Sequence, residues 1–387
     1  MDWGDARVML SVKAVIQERF DRMNKPSLIM PGWENNLPKI DLSNGVLAYL
    51  MNDFYVANRW AFPYDSIRRA IDALYFPGRP AHVTDFPDEA QTAWSEELQG
   101  VACDGKNWYI TQVYKPDENS RVWKFPISYN LADVAEGPLP PGVKKAGIPK
   151  QLRDKGYWHF GDLDYYAGRL YVPCQGGDPA QVVVFDAEDL SFLGAAGLEG
   201  GTGAWCAINP KNGLLHESDF YDIPEMPFPA TPEDVSKFEY DVQNPPPLRL
   251  RIYNPIWNAG KIKEFDPVGE LELSDRRGGR TSAYRIQGGA FSENGRLYLI
   301  SDDTRNGKAR LLGFEMMTGR QMFGKSIEYS PDYPDLEEFE AIAIYDLDGN
   351  QSPGISGQLH VILLDNDIHS DDDIIFKHFR VGHKERL

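Results

Sequence analysis

The fold is decided by a stretch near residue 300, which reads GGAFSENGRLYLISDDTRNGKARLLGF from Gly288 to Phe314. It begins with a short strand of small residues and continues through the turn pair Asn294-Gly295. Two strongly apolar strands follow, Leu297–Ile300 and Leu311–Phe314. Asn-Gly pairs are typical of tight hairpins, whose central residues need positive φ. The stretch therefore predicts an antiparallel meander.

The same pattern occurs five times after about residue 81. The other units begin near residues 98, 161, 204 and 340, and three of them carry the turn pairs Asp104-Gly105, Ala167-Gly168 and Asn212-Gly213. Units about 45 to 80 residues long suit propeller blades of four strands better than a solenoid. Further outer strands are predicted at 192–194, 269–273 and 321–323. We predict an all-β protein, a five-bladed β-propeller of four-stranded antiparallel blades, with six blades as the alternative.

The ends of the repeat region predict how the ring closes. The fifth unit runs out of chain after its third strand, and a propeller must close its ring. His82–Phe86, which reads HVTDF, is the predicted source of the missing outer strand. Residues 1–80 differ from the repeats, because Val8–Met23 and Asp65–Tyr75 have helical spacing and lack hairpin turns. We predict a helical extension over 1–80, packed on a propeller domain over 81–387.

Composition excludes several classes of protein. The 387 residues carry a formal net charge of −18, which disfavours binding to nucleic acid or to anionic membranes through bulk charge. Apolar runs of the 18 to 20 residues that span a bilayer do not occur. The acidic start, Met1–Asp5, differs from the basic region of a signal peptide, and we predict a cytoplasmic protein. The three cysteines lie in apolar runs and are predicted to be buried, reduced thiols.

Polar residues at the strand ends locate the candidate site. In a propeller, the loops that enter the innermost strands share one face with the loops between second and third strands. His159 is the strongest candidate, as a general base or a metal ligand, with a structural histidine as the alternative. The other candidates for catalysis are Asp162, Glu340 and Arg285. The predicted substrate-binding residues are Trp158, Trp205, Gln99, Gln287, Tyr284, Tyr114 and Arg305.

The acidic residues at the same strand ends are candidate metal ligands. Glu97, Asp302 and Asp365, together with Glu340, are predicted to form a ring of carboxylates around the axis. Close carboxylates must raise their pKa values or take up a cation, and hard oxygen ligands suit calcium or magnesium. Zinc-binding spacings, a GxSxG motif, a Walker loop and a dinucleotide fingerprint do not occur. We therefore expect no organic cofactor, and calcium as the candidate metal.

One family resemblance follows from these motifs. Gly-x-Leu-Tyr in a second strand, Gly295–Tyr298, and an acid before an innermost strand, in Glu338–Ala343, resemble the propellers of the calcium-dependent lactonase and paraoxonase type. The resemblance implies calcium held in the axial channel by acidic and amide side chains. It also implies hydrolysis of lactones or esters at that site.

Two functions remain open at this point. In the first, a pocket of aromatic and acidic residues at the axis processes a small molecule by hydrolysis, elimination or cyclisation. In the second, the propeller is a non-catalytic platform that binds a glycan or a protein. The proline-rich insertion 221–247 would then contribute to a protein contact.

Overall fold

The computed structural model describes residues 80–88, 94–113, 120–133, 138–224, 231–243, 246–303, 308–329, 337–349, 351–365 and 373–381. They belong to one compact unit that spans 79–387. The predicted helical extension lies outside the described residues, apart from position 80, so it stays a prediction.

The described strands form five antiparallel sheets, one for each predicted blade. The first blade contains β2 (Leu98–Cys103), β3 (Asn107–Gln112), β4 (Arg121–Pro126) and β5 (Lys144–Gly147). The second contains β6 (His159–Phe160), β7 (Asp164–Tyr166), β8 (Arg169–Gln175), β9 (Gln181–Asp186) and β10 (Phe192–Gly197). The third contains β11 (Ala207–Ile208), β12 (Leu215–Ser218), β13 (Arg249–Asn258) and β14 (Lys261–Glu272). The fourth contains β15 (Ile286–Phe291), β16 (Arg296–Ser301), β17 (Lys308–Glu315) and β18 (Arg320–Glu328).

The fifth blade closes the ring. It is built from β19 (Glu338–Ile344), β20 (Leu359–Asp365), β21 (Asp373–Arg380) and the first strand of the described chain, β1 (Ala81–Asp85). β1 pairs antiparallel with β21, with Ala81 opposite Arg380 and Asp85 opposite Lys377. Five blades and closure by an early strand are therefore confirmed, and the six-bladed alternative is wrong.

The turn pairs mark the hairpins correctly but do not all form the turn that their sequence suggests. Ala167-Gly168 forms a two-residue turn between β7 and β8, with φ values of 51° and 78°. At Asp104-Gly105 the connection is longer, because Asp104 Oδ1 accepts the amide hydrogens of Lys106 and Asn107 at 2.8 and 2.6 Å. A side chain that satisfies the amides of the next residues builds an Asx turn instead of a tight hairpin turn.

Apolar and aromatic side chains fill the spaces between adjacent blades. The cluster between the fifth and first blades includes Trp94, Trp108, Trp123, Phe125, Ile362 and Phe376. Each such side chain contributes about 1.5 to 3 kcal/mol when it is fully buried. Cys174 and Cys206 are buried and free, as expected, whereas Cys103 is half-buried. The aromatic content of the chain is thus largely a packing requirement of the blades.

Two helices accompany the described strands. α1 (Lys150–Arg153) precedes the second blade, and α2 (Pro232–Gln243) lies in the insertion between β12 and β13. Thr231 caps α2, since its hydroxyl accepts the Asp234 amide hydrogen at 3.2 Å and donates to the Asp234 carboxylate at 2.6 Å. Neither of these helices has the length and apolar character of a membrane span.

Candidate functional site

The strand register brings the predicted rim residues to one end of the propeller axis. The start of each innermost strand lies beside the end of the next strand in its blade. The pairs that show this are Leu98 with Gln112, His159 with Gln175, Ile286 with Ser301, and Glu338 with Leu364. We call this end of the axis the axial mouth.

Asp162 lies at the centre of the ring and contacts every other blade. Its Oδ1 accepts the amide hydrogen of Val101 at 3.0 Å, and its Oδ2 accepts that of Gly289 at 3.0 Å. The Ile342 amide of the fifth blade lies near the same carboxyl and lowers its pKa. The Asp162 backbone forms a parallel bridge with Trp205. A residue of the second blade thus joins the innermost strands of the other four blades.

The environment of Asp162 favours a structural role over the catalytic one that the sequence suggested. The side chain is completely buried. A Cβ atom on Gly288 would lie 2.6 Å from Oδ2, and one on Gly100 would lie 2.8 Å from the Asp162 Cα. Burial raises the pKa of the carboxyl, and the three amide donors act in the opposite direction. Glycines in the innermost strands therefore allow the blades to approach this residue.

A second buried group, the Arg285 cluster, consists of Arg285, Asp302, Tyr329, Glu338 and Glu340. Arg285 Nη1 lies 3.0 Å from Asp302 Oδ2, and Nη2 lies 2.5 Å from Glu338 Oε1. The Tyr329 hydroxyl donates to Asp302 Oδ1 at 2.6 Å. Arg285 directly precedes β15 and adopts a φ of 46°, which is unusual outside glycine and is often found at functional sites. The cluster joins the fourth and fifth blades at the axial mouth.

The Arg285 cluster holds more carboxyl groups than its cation can neutralise. Glu340 is buried, and its carboxyl lies near that of Glu338. Burial, followed by the negative charges of Glu338 and Asp302, raises the pKa of Glu340 well above its ordinary value, and Arg285 only partly offsets this. Burial also raises the pKa of Asp302 to about 6. With three carboxyl groups facing one guanidinium, the cluster favours the protonated form of Glu340.

His159 and Trp158 lie at the mouth in the second blade. The Trp158 backbone is fixed on both sides, because its amide donates to Gln175 O at 3.0 Å and its carbonyl accepts from Ser120 Oγ at 2.7 Å. Its indole is 46% exposed and rests on Gly176, where a Cβ would lie 2.5 Å from Cδ1. The Trp158 and His159 rings meet edge to face, with their centroids 5.2 Å apart. Trp158 therefore presents an ordered aromatic surface.

The imidazole of His159 is neutral. Burial lowers its pKa to about 4. Its Nδ1 is buried and has no hydrogen-bond partner among the described residues. A neutral ring with an unpaired nitrogen can exchange a hydrogen bond with a ligand, or act as a weak base.

A comparable cluster in the third blade surrounds Glu217, which is buried. Arg251 Nη1 lies 3.4 Å from Glu217 Oε1 and 2.5 Å from Asp219 Oδ1. The Tyr253 hydroxyl donates to Glu217 Oε1, and the Thr202 amide donates to Oε2, both at 3.2 Å. Burial raises the pKa of Glu217 to about 7, against the effect of Arg251. Both oxygens of this carboxyl are thus occupied by groups that hold it in place.

Two of the predicted aromatic substrate contacts are buried. Trp205 donates through Nε1 to Ser218 Oγ at 2.9 Å and packs in the core between the third and fourth blades. Tyr284 is also buried, and its hydroxyl donates to Asp241 O of α2 at 3.1 Å. The structure places both side chains in the packing beneath the mouth.

Of the remaining predicted substrate contacts, two are glutamines in the described part of the chain and two lie outside it. Gln99 is nearly buried and donates through Nε2 to Leu98 O at 3.0 Å. Gln287 is half-buried in β15. Tyr114 and Arg305 lie outside the described residues. The roles of these four residues stay predictions.

The predicted calcium ligands do not form a metal centre in the described part of the chain. Across these residues, no three or more His, Cys, Asp or Glu side chains are grouped so as to hold a metal ion. Asp302 Oδ1 accepts from the Tyr329 hydroxyl and the Phe339 amide, and Oδ2 forms an ion pair with Arg285, whose positive charge disfavours a calcium ion beside it. Glu97, which has a φ of 48°, and Asp365 each lie at a strand end. A calcium ion at the axis stays a prediction.

The insertion reaches the Arg285 side of the mouth. The Arg285 amide donates to Tyr221 O at 2.8 Å, and the Tyr284 hydroxyl contacts α2, as described above. The described part of the insertion is therefore tied to the fourth blade beside the Arg285 cluster.

Sequence reasoning placed Glu338 at the rim without assigning it a role, and it missed Tyr329. Glu338 precedes Glu340 by two residues, and the alternation Glu-Phe-Glu in a strand was a signal that both acids lie on one face. Tyr329 follows the outer strand β18, and no sequence signal connects it with the axis.

No protein-family model matches the chain, and no curated protein matches it. Solved structures with a similar fold include a glutaminyl cyclase from Myxococcus xanthus, which is 11% identical with a TM-score of 0.44. That match covers 79% of this chain and 97% of the cyclase. The structure of RS223-β-xylosidase is 11% identical over 79% of this chain and 98% of the other, with a TM-score of 0.45.

A GH43_1 enzyme from Xanthomonas citri, solved in complex with xylose, is 14% identical over 78% of this chain and 90% of the other. Its TM-score is 0.43. These likenesses are likenesses of fold and carry no argument about activity. The β-propeller architecture that the lactonase and paraoxonase resemblance implies is confirmed by the five sheets, and the resemblance to that particular type stays a prediction.

Proposed function

We propose that the protein is an enzyme that acts on a small molecule at the axial mouth by acid–base catalysis. The observation that supports this proposal most directly is the buried Glu340 carboxyl near Glu338, which is itself paired with Arg285. Two carboxyl groups share a hydrogen bond only when one of them is protonated. Such a pair supplies a proton and a proton acceptor within one site at neutral pH.

The two carboxyl groups have different positions and therefore different proposed roles. The side chain of Glu338 is 32% exposed, so it can touch a substrate. Glu340 is buried behind it and acts through it, as a positioning residue that shares the proton. Arg285 Nη2 contacts Glu338 Oε1. The guanidinium would stabilise negative charge that develops on the substrate.

This arrangement suits reactions in which a leaving group takes up a proton while a nucleophile or a carbon acid loses one. Hydrolysis of a lactone or an ester, which the family resemblance implies, is one such reaction. Elimination and cyclisation are others. Trp158 would bind the apolar face of the substrate, and the neutral His159 would supply one hydrogen bond.

The test is the pH-dependent turnover of a panel of lactones, esters and glycosides by the wild type and by Glu338→Gln. The amide keeps the shape of the side chain and removes its acid–base function. We expect kcat to fall by about 10² to 10⁴. Affinity for a bound substrate should change only a few-fold.

The matched control is Glu217→Gln, which makes the same chemical change in the other arginine cluster at the mouth. It should retain most of the turnover, because both Glu217 oxygens are engaged in the packing of the third blade. Equal losses in both variants, or full activity of Glu338→Gln, would contradict the proposal. If the wild type binds panel compounds without converting any of them, the protein is a binding platform instead.

A further inference from the structure

Two buried histidines face each other in the fifth blade. His360 in β20 and His378 in β21 are directly opposite each other in the strand register. Both side chains are buried, and their Nδ1 atoms are 2.9 Å apart. The pair lies beside the strand that closes the ring, since Thr84 of β1 is the register partner of His378.

The remaining ring nitrogens both face backbone carbonyls. His360 Nε2 lies 2.9 Å from Tyr345 O, and His378 Nε2 lies 2.8 Å from Phe86 O, immediately after β1. A carbonyl oxygen accepts a hydrogen bond but cannot donate one. Each Nε2 must therefore carry a hydrogen if its contact is to be favourable.

The three contacts need more hydrogens than two neutral rings possess. A neutral imidazole carries one ring hydrogen, so the neutral pair has two. With both placed on Nε2, two lone pairs face each other across 2.9 Å. With one moved to Nδ1, a lone pair faces either Tyr345 O or Phe86 O. Three hydrogens, and hence one additional proton, satisfy all three contacts.

We propose that His360 and His378 form a proton-binding site that takes up one proton as a unit, shares it between the two Nδ1 atoms, and makes the hold on the closing strand depend on pH. The separation of 2.9 Å matches an N–H···N hydrogen bond. It is too short for a bridging metal ion, since bonds of about 2.0 Å at a tetrahedral angle hold two nitrogens about 3.3 Å apart. The ligand of this site is therefore the proton.

The groups around the two rings set the pH range in which the pair binds its proton. Burial lowers the pKa of His360 to about 4 and that of His378 to about 3, with His360 and His82 lowering the latter further. Asp348 near His360 and Asp85 near His378 act in the opposite direction.

The other groups packed around the pair do not compete for its proton. Asp348 binds Arg380, and Asp85 lies near His82 and Lys377. The first blade contributes the edge of the Trp108 ring, which is uncharged. The pair is therefore neutral at neutral pH and takes up its proton in acid. A second proton is excluded, because it would place two N–H groups against each other.

The hydrogen bond between His378 and Phe86 O affects how the ring is closed. Phe86 is also held by its amide, which donates to Phe376 O at 2.9 Å. The contact between His378 and Phe86 O adds a side-chain tie from β21 to the end of β1. Because burial lowers the pKa of both rings below the ordinary value of 6.5, opening of β1 favours proton uptake, so β1 is held less firmly in acid than at neutral pH.

The proton count is tested by nitrogen NMR of the histidine rings in the full chain, titrated from pH 8 to pH 3. We expect His360 and His378 to take up one proton together, with hydrogens on both Nε2 atoms once it is bound. His216 in the third blade, whose Nδ1 lies 3.1 Å from Leu214 O, provides an internal reference for a single buried ring. Independent titration of the two rings, uptake of two protons, or an Nε2 that stays without hydrogen after the proton is bound would overturn the proposal.

The link to closure is tested by amide hydrogen exchange in β1, corrected for the intrinsic dependence of exchange on pH. In the wild type, protection of β1 should fall several-fold as the pH decreases through the range in which the pair takes up its proton. His360→Asn should reduce that fall. His216→Asn, which alters another buried histidine in the third blade, should preserve it. A fall of the same size in His360→Asn would overturn the link to the pair. If neither variant folds, the wild-type ring titration still decides the proposal.

Discussion

Asp162 and Glu340 are both buried carboxyl groups near the axis, and they differ in the groups that face them. Asp162 accepts backbone amides from two other blades, and an amide neither gives nor takes a proton at neutral pH. Glu340 faces another carboxyl, and a hydrogen bond between two carboxyl groups needs a proton that can move. The type of donor therefore separates a carboxyl that organises the fold from a carboxyl suited to chemistry.

The largest effect is expected when the carboxylate of Asp162 is removed. Asp162→Ala leaves the buried amides of Val101 and Gly289 without an acceptor, and leaving buried donors unpaired is costly. We expect a loss of on the order of 3 to 5 kcal/mol of unfolding free energy, measured by denaturant titration. Asp164→Ala is the matched control, because it makes the same chemical change at a carboxyl to which the Ile208 amide donates at 2.7 Å. A loss at Asp162 no greater than that at Asp164 would contradict the role of Asp162 as the junction of the blades.

The second prediction concerns Glu217, whose donors lie between these two extremes. Its pKa is raised from 4.5 to about 7 in the folded chain, so the folded state keeps a proton that the unfolded state has released. The corresponding stabilisation is complete below pH 4.5 and is lost as the pH rises through 7. Relative to Glu217→Gln, the wild type should lose up to roughly 3 kcal/mol of unfolding free energy across this range.

The comparison with the variant is necessary because buried histidines act in the opposite direction. Burial lowers the pKa of His216 from 6.5 to about 4, and its contribution to stability is lost as the pH falls through that range. This contribution is common to the wild type and Glu217→Gln, so it cancels. Parallel pH profiles of unfolding free energy for the wild type and Glu217→Gln would contradict the prediction, because they would show that Glu217 has the same pKa in the folded and unfolded states.

Much of the fold could be predicted from local sequence, because turn pairs and apolar strands act over a few residues. The closing strand followed from the geometry of a ring and not from its own composition. The helix α2 was missed, although Thr231, Pro232 and Asp234 provide a helix start signal. The proline content of the insertion obscured this signal.

The site could be predicted only residue by residue. Arg285, Asp302 and Glu340 were each candidates, but their grouping depends on how the fourth and fifth blades meet. That grouping is set partly by irregular register, with shifts between Phe339 and Ala341 and between Ile286 and Gly288. A shift of one residue in a strand exchanges its two faces, and no pattern in a single sequence specifies where it occurs. Trp205 illustrates the same limit, since its sequence position did not reveal that it faces the core.

The third prediction concerns Glu340→Gln, which replaces the buried carboxyl group of the pair with an amide. The amide can still hydrogen-bond to Glu338 but cannot share a proton with it. We expect kcat to fall about 10- to 100-fold with little change in KM, and the pH limb that reports the pair to move. Stability at neutral pH should be unchanged or higher, since a buried ionisable group has been neutralised. A loss of stability like that of Asp162→Ala would place Glu340 among the structural carboxyls.

The smallest effect is expected at His159. Its ring is neutral, and removal of a buried nitrogen without a described partner leaves no donor or acceptor unsatisfied. His159→Ala should therefore cost little beyond lost packing, while kcat falls by about tenfold if the ring acts as a weak base or hydrogen-bond partner. Because its pKa is about 4, wild-type activity that depends on the neutral ring should fall only as the pH drops towards 4. Activity of His159→Ala equal to that of the wild type at every pH would leave the Arg285 cluster as the whole of the acid–base machinery, since it is the other proton-holding group proposed to act at the mouth.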